Sequence, residues 1–177
     1  MTELSRLTLI TGGARSGKSR HALELAQALA GEGRAFFLAT AQAWDTEMAE
    51  RIAHHRSTRP ARFETIEEPL ALSTAVRSLE GRAAVLVIDC VTLWVANLLG
   101  VGLADDGVKR EGAQLASALR AVSFPTIVVS GETGCGIVPE NPLARRFRDL
   151  LGIVNQQLAV AADSLILMVA GYPMRVK

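Results

Sequence analysis

Residues 12–19 read Gly12-Gly13-Ala14-Arg15-Ser16-Gly17-Lys18-Ser19 and follow directly on the apolar run Leu7-Thr8-Leu9-Ile10. The spacing is that of the phosphate loop, G-x-x-x-x-G-K-[ST]. A glycine turn between a buried strand and a helix aims several backbone N–H groups and a helix N-terminus at one point, where a di- or triphosphate can be held. In such a loop the Lys18 ammonium reaches the β- and γ-phosphates, and the Ser19 hydroxyl serves as a Mg²⁺ ligand. The residues that follow satisfy the helical requirement: Ala22, Leu25, Ala26 and Leu29 recur at helical spacing, and Gly31 supplies a stop.

Outward from the loop, short apolar runs alternate with longer amphipathic stretches. The runs are 7–11, 35–39, 84–89, 126–130 and 164–170, each rich in Val, Ile, Leu or Phe without strict alternation. That pattern predicts strands buried on both faces, hence an α/β fold of the P-loop NTPase type: a mostly parallel central sheet with helices on both faces. Helices are expected at 18–30, 45–57, 69–79, 91–99, 106–121 and 141–162. A chain of 177 residues, 49% of them hydrophobic, suits one nucleotide-binding domain over 1–177.

Charge and composition narrow the partners. Nineteen Lys and Arg against eighteen Asp and Glu leave a net charge of +1, so no global field attracts nucleic acid or an anionic membrane. No apolar run approaches the roughly 18 residues that span a bilayer, and no secretory signal is legible in Met1–Arg6. Two cysteines, Cys90 and Cys135, make no disulfide framework. A cytoplasmic protein is the expectation.

Three further segments carry candidate chemistry. Val85-Leu86-Val87-Ile88-Asp89 ends an aliphatic run in an acid, read as the strand beside the loop, with Asp89 holding Mg²⁺ directly or through water. The alternative for Asp89 is a cap on the following helix. In 45–60, His54 and His55 are adjacent, so on a helix their side chains diverge by about 100° and one of them is the working residue. Arg51, Arg56 and Arg59 crowd the pair. They would clamp phosphates and disfavour the imidazolium, leaving a nucleophilic nitrogen. A solvated basic helix end is the other reading. Residues 131–142 hold three glycines and two prolines after a strand, on the rim where open sheets bind ligands. Arg145, Arg146 and Arg148 follow, facing solvent, Asp149, a phosphate or a neighbouring subunit.

Together GGARSGKSRHA (12–22), DTEMAERIAHHRSTRP (45–60), LVIDCVTLWVANLL (86–99) and GIVPENPLARRFRDLLGIVNQQLA (136–159) resemble the bifunctional adenosylcobinamide kinase/adenosylcobinamide-phosphate guanylyltransferase family of cobalamin biosynthesis. The resemblance implies phosphorylation of the adenosylcobinamide hydroxyl by ATP or GTP. Transfer of GMP from GTP onto that phosphate would follow, through a guanylylated histidine. It implies His55 as that histidine, with His54 second, and Lys18 and Mg²⁺ as stabilisers of the departing pyrophosphate. Nucleotide contacts are implied at Gly12, Gly13, Ala14, Arg15, Ser16, Gly17, Lys18 and Ser19, at Ala39, Thr40 and Ala41, and at Arg56, Ser57, Thr58, Arg59, Glu67 and Asp89. Glu67 would accept from the guanine N1–H and amine. A homotrimer is implied as well. Asp89 stands where the family often has Glu, and Gly131 where it commonly has Asn. A single-function P-loop kinase and a non-catalytic nucleotide switch are the competing functions.

Overall fold

A computed structural model describes residues 5–43, 46–57 and 60–177, the side chains at 48, 51, 52, 54, 55 and 57 excepted. The strands are β1 (Leu7–Gly12), β2 (Ala35–Ala39), β3 (Phe63–Glu67), β4 (Val85–Asp89), β5 (Thr126–Val129), β6 (Ser164–Val169) and β7 (Tyr172–Arg175). The helices are α1 (Lys18–Ala30), α2 (Thr46–Ser57), α3 (Leu72–Arg77), α4 (Val91–Gly100), α5 (Asp105–Ala121) and α6 (Pro142–Ala161). They build one sheet of order β3-β2-β4-β5-β1-β6-β7, parallel throughout except for β7 against β6.

The expected fold class holds, and β4 explains why. Val85, Leu86, Val87 and Ile88 are all fully buried. Each contributes about 1.5–3 kcal/mol of burial, against about 1–2 kcal/mol per residue for ordering backbone. Period-two geometry sends Leu86 and Ile88 to one face and Val85 and Val87 to the other. The first face is covered by α3, α4, α5 and α6. The second meets α1 through the stripe Ala22, Ala26, Ala30, whose small side chains let helix and sheet approach closely.

Four expectations need correction. β3 went unread because it is an edge strand carrying Glu64, Thr65 and Glu67, and two of these are exposed acids. It is held partly by a forked pair, Arg34 just ahead of β2 donating to both carboxylate oxygens of Glu64 at 2.7 and 2.8 Å. β7 went unread because the β6–β7 turn is Ala170-Gly171, both at positive φ (50° and 89°), without the Asn-Gly signature of such turns. The helix expected at 69–79 is only Leu72–Arg77, since Glu68 Oε1 accepts from the N–H groups of Leu70 and Ala71 ahead of it. Finally, Asp89 does not lie on the strand beside the phosphate loop: β5 separates β4 from β1, so the two axes are about 10 Å apart.

Candidate nucleotide site

The site sits at the carboxyl ends of the parallel strands. In the β2–β3 and β2–β4 pairings Ala39 lies opposite both Glu67 and Asp89, so these three residues form one row across three strands. The β4–β5 and β5–β1 pairings extend it through Val129 to Ile10. Two residues beyond Ile10 the phosphate loop begins.

The loop's shape follows from its glycines. Gly12 takes φ 145° with its Cα against the Met168 carbonyl, where an added Cβ would come to 2.6 Å. Gly17 takes φ 95° and begins α1 without a side-chain cap, so the first N–H groups of α1 are free of local side-chain partners. Arg15 sits in the left-handed region at φ 55°. The β6–β7 turn props the loop from behind, Gly171 N–H donating to the Ser16 carbonyl at 3.0 Å. Lys18 Nζ donates to the Gly13 carbonyl at 2.6 Å, which leaves it two further protons. Burial lowers the Lys18 pKa from its ordinary value, opposed by the negative charges that Cys90, once ionised, and Asp89 would present. Burial, with the Asp89 charge adding to it, pushes the Cys90 thiol up to about 12. At neutral pH it is a thiol and no nucleophile, so Asp89 is the anion that faces Lys18.

A cleft of about 900 Å³ joins these parts. Of the expected residues, Gly12, Ala14, Arg15, Lys18, Ser19, Ala39, Ala41, Arg56, Glu67 and Asp89 line it. Ser16 is nearly buried, and Thr40 is fully buried beneath the wall. Thr40 Oγ1 donates to the Cys90 carbonyl at 2.7 Å and accepts from the Cys90 N–H at 2.9 Å, across a cis Asp89–Cys90 peptide bond. His54, His55 and Ser57 belong to the backbone of α2. Thr58 and Arg59 lie outside the described residues, as does Trp44.

The far wall is α2, contributing Glu47, Glu50 and Arg56. Arg56 forms an ion pair with Glu67 through Nη2 and Oε1. Neither glutamate of α2 was singled out in sequence, although both lie within the motif that was. Thr92 and Leu93 also line the cleft from the start of α4. Thr92 Oγ1 accepts from the Gly131 N–H at 2.6 Å, and Glu132 N–H donates to the Gly12 carbonyl at 3.0 Å. Of the segment 131–142 expected on the rim, residues 131–133 line the cleft and 134–142 do not. The arginines behind them make structural contacts: Arg145 donates to the Pro139 and Glu140 carbonyls, Arg148 donates through Nη2 to that of Gly134 while its buried Nη1 has no partner among the described residues, and Arg146 pairs with Asp105 rather than Asp149. Trp94 is core, its Nε1 donating to the Leu70 carbonyl.

Ser19 and Asp89 bring a hydroxyl and a carboxylate to one cleft, a hard-oxygen pair that fits Mg²⁺. Among the described residues no helix is long and apolar enough to cross a membrane.

Comparison with known proteins adds the following. The sequence model of a family described as cobinamide kinase / cobinamide phosphate guanyltransferase matches residues 8–176. A bifunctional adenosylcobalamin biosynthesis protein, CobP of Pseudomonas aeruginosa, is 45% identical over 173 residues, covering 96% of each chain. The bifunctional adenosylcobalamin biosynthesis proteins CobU of Escherichia coli and Salmonella typhimurium are 39% and 40% identical over 184 residues, covering 97% of this chain and 99% of theirs. Among solved structures, the flagellar accessory protein FlaH of Methanocaldococcus jannaschii superposes with a TM-score of 0.55 over 97% of this chain and 78% of its own. At 15% identity that likeness speaks for the fold alone.

Proposed function

The chain belongs to the cobinamide kinase / cobinamide phosphate guanyltransferase family, and from that premise we propose that the cleft at the phosphate loop serves both reactions. It is a bifunctional enzyme of adenosylcobalamin biosynthesis, a kinase and a guanylyltransferase that uses nucleotides. The observation that carries the one-cleft reading is the lining: phosphate loop, Asp89, Glu67 and α2 all open into the same space.

In the kinase step the loop N–H groups and Lys18 hold the β- and γ-phosphates of ATP or GTP while the cobinamide hydroxyl oxygen attacks the γ-phosphorus; the bond to the β–γ bridging oxygen breaks, ADP or GDP leaves, and the hydroxyl proton passes to water or a phosphate oxygen. In the second step an imidazole nitrogen of α2 attacks the α-phosphorus of GTP. The bond to the bridging oxygen breaks and pyrophosphate leaves toward Lys18. A phosphate oxygen of cobinamide phosphate then displaces the imidazole and takes GMP. Ser19 and Asp89 would hold Mg²⁺, which supplies charge neutralisation on the phosphates. Glu67, already oriented by Arg56, keeps lone pairs for the guanine N1–H and amine.

The resemblance implies His55 as the guanylylated residue, with His54 second. Glu47, Glu50 and Arg56 line the cleft from α2. These three do not share one side of the helix, since Glu47 and Arg56 lie nine positions and about 180° apart, so the spacing of α2 does not reorder the pair. GTP labelled at the α-phosphorus should leave an acid-labile label on the protein. We expect the label to vanish in His55→Asn and persist in His54→Asn; the reverse assigns His54. An unlabelled wild-type protein would leave a single-function kinase.

The same reading carries a homotrimer in the cytoplasm. Exposed Tyr172, Met174 and Val176 on the edge of the sheet support burial against a second copy, which sedimentation would read.

A further inference from the structure

Asn97 is the buried polar residue of α4, 3% exposed on a helix whose other buried residues are Val91, Trp94, Val95 and Leu98. It lines no part of the cleft. Its Nδ2 uses both protons on backbone: one goes to the Thr40 carbonyl at 2.8 Å, the other to the Pro69 carbonyl at 3.1 Å. Thr40 begins the loop after β2, and Pro69 stands two residues beyond Glu67, in the loop after β3. Thr40 in turn clamps Cys90 through its hydroxyl and donates its own N–H to the Asp89 carbonyl at 3.3 Å. Glu68 N–H closes the set on the Ala39 carbonyl at 3.0 Å. The ends of β3, β2 and β4 are therefore tied together below the cleft floor, at the point where ladder pairing stops.

Past the last ladder bond, the carbonyl of the fully buried Thr40 would otherwise lack this donor, and an unpaired buried carbonyl is what native structures avoid. Without the Asn97 amide, the loops after β2 and β3 lose the tie that lies beyond the last ladder bonds, and the ends of the row Glu67–Ala39–Asp89 are free to fray from their ladder positions. Glu67 stands at one end of that row and Asp89 at the other, about 10 Å apart by strand spacing. A nucleotide held by its phosphates near Asp89 presents its base at a fixed distance, so recognition of the base depends on that spacing.

We propose that Asn97 and Thr40 are positioning residues that set the preference for GTP over ATP in the guanylyl step, by fixing the Glu67 strand end relative to Asp89. The inference rests on the reading of Glu67 as the carboxylate that contacts the base. It leaves the chemistry to other residues and predicts a change in selectivity rather than loss of turnover alone.

The test measures second-order labelling of the full chain by GTP and by ATP, each labelled at the α-phosphorus, and takes the ratio. That ratio is independent of the fraction of protein folded, so a merely structural role would not move it. Asn97→Leu and Thr40→Val should lower the ratio about tenfold, and Thr40→Ser, which keeps the hydroxyl, should restore it. The Thr40 pair decides the matter even if Asn97→Leu fails to fold. An unchanged ratio in Thr40→Val and in soluble Asn97→Leu overturns the proposal. Glu67→Gln tests the underlying reading separately. If it keeps the preference while the Asn97 and Thr40 variants lose it, the base contact lies elsewhere and the positioning role stands. If it alone loses the preference, the Glu67 reading stands and the positioning role falls.

Discussion

Gly12 is the residue of the loop with the least freedom to change. Its φ of 145° lies where side chains are strained, and a Cβ would press to 2.6 Å on the Met168 carbonyl and 2.9 Å on Ser16 Oγ. Backbone cannot yield as a side-chain tip can. Gly12→Ala is expected to cost about 1–3 kcal/mol of stability and to displace the loop. Chemical denaturation reads the first effect and nucleotide titration the second; a variant with wild-type stability and affinity would refute the contact. The loop and Asp89 were legible in sequence because their spacing and their strand context are local. Thr40 was legible only as a neighbour of the site: its burial and its grip on Cys90 depend on β2 lying beside β4, fifty residues on. Asn97 carried no signal at all, since one amide in an apolar helix gains meaning only from the two carbonyls that fold onto it.

At the scale of elements, Asp163 joins three of them where α6 passes into β6. Its Oδ2 accepts from the Leu7 N–H at 2.9 Å, at the start of β1, and its Oδ1 from Arg120 Nη1 at 2.6 Å, near the end of α5. Burial alone would raise its pKa; the hydrogen bonds from Leu7, Arg120 and Arg6 and the Arg120 charge outweigh it and hold the carboxyl below the ordinary 3.8. A depressed folded pKa contributes stability that is fully present above the unfolded value and is lost as pH falls through the folded one. Asp163→Asn should therefore cost about 1 kcal/mol at pH 7, discounted for partial exposure, with the deficit shrinking as pH drops below about 4. Urea midpoints measured along a pH series check it, and a deficit that stays constant to pH 2 would refute the linkage. Of the elements themselves, the doubly buried strands were legible because burial on both faces demands continuous apolar runs. The edge strand β3 and the hairpin strand β7 were not, because an edge tolerates Glu64 and Pro173 and an Ala-Gly turn resembles no turn signature.

For the whole molecule the sheet is both core and floor of the site. Five of its strand ends, β1 to β5, deliver residues or their following loops to a cleft of about 900 Å³, near the upper end of the roughly 300–1,000 Å³ common for small-molecule sites. A kinase presents the γ-phosphorus to its acceptor and a guanylyltransferase presents the α-phosphorus to an imidazole. One pose cannot do both, so the loop must serve as a cradle along which the nucleotide takes two positions. Either position ties ligand binding to the integrity of the central sheet, because the loop is continuous with β1 and is propped by the β6–β7 turn. If residues 1–177 form one domain, as we propose, nucleotide must stabilise the entire chain rather than a part of it. Ligand at about 100 times its dissociation constant adds about 2.7 kcal/mol. For a chain of this size each kcal/mol moves Tm by roughly 2–4 °C, so GTP with Mg²⁺ should raise a single unfolding transition by about 5–11 °C. Lys18→Ala should keep the ligand-free Tm within a few degrees, since the Lys18 hydrogen bond to Gly13 stays within its own loop, and should lose most of the ligand-induced shift. Two transitions, only one of them moved by GTP, would break the single-domain reading; a full shift in Lys18→Ala would remove the loop from the nucleotide site.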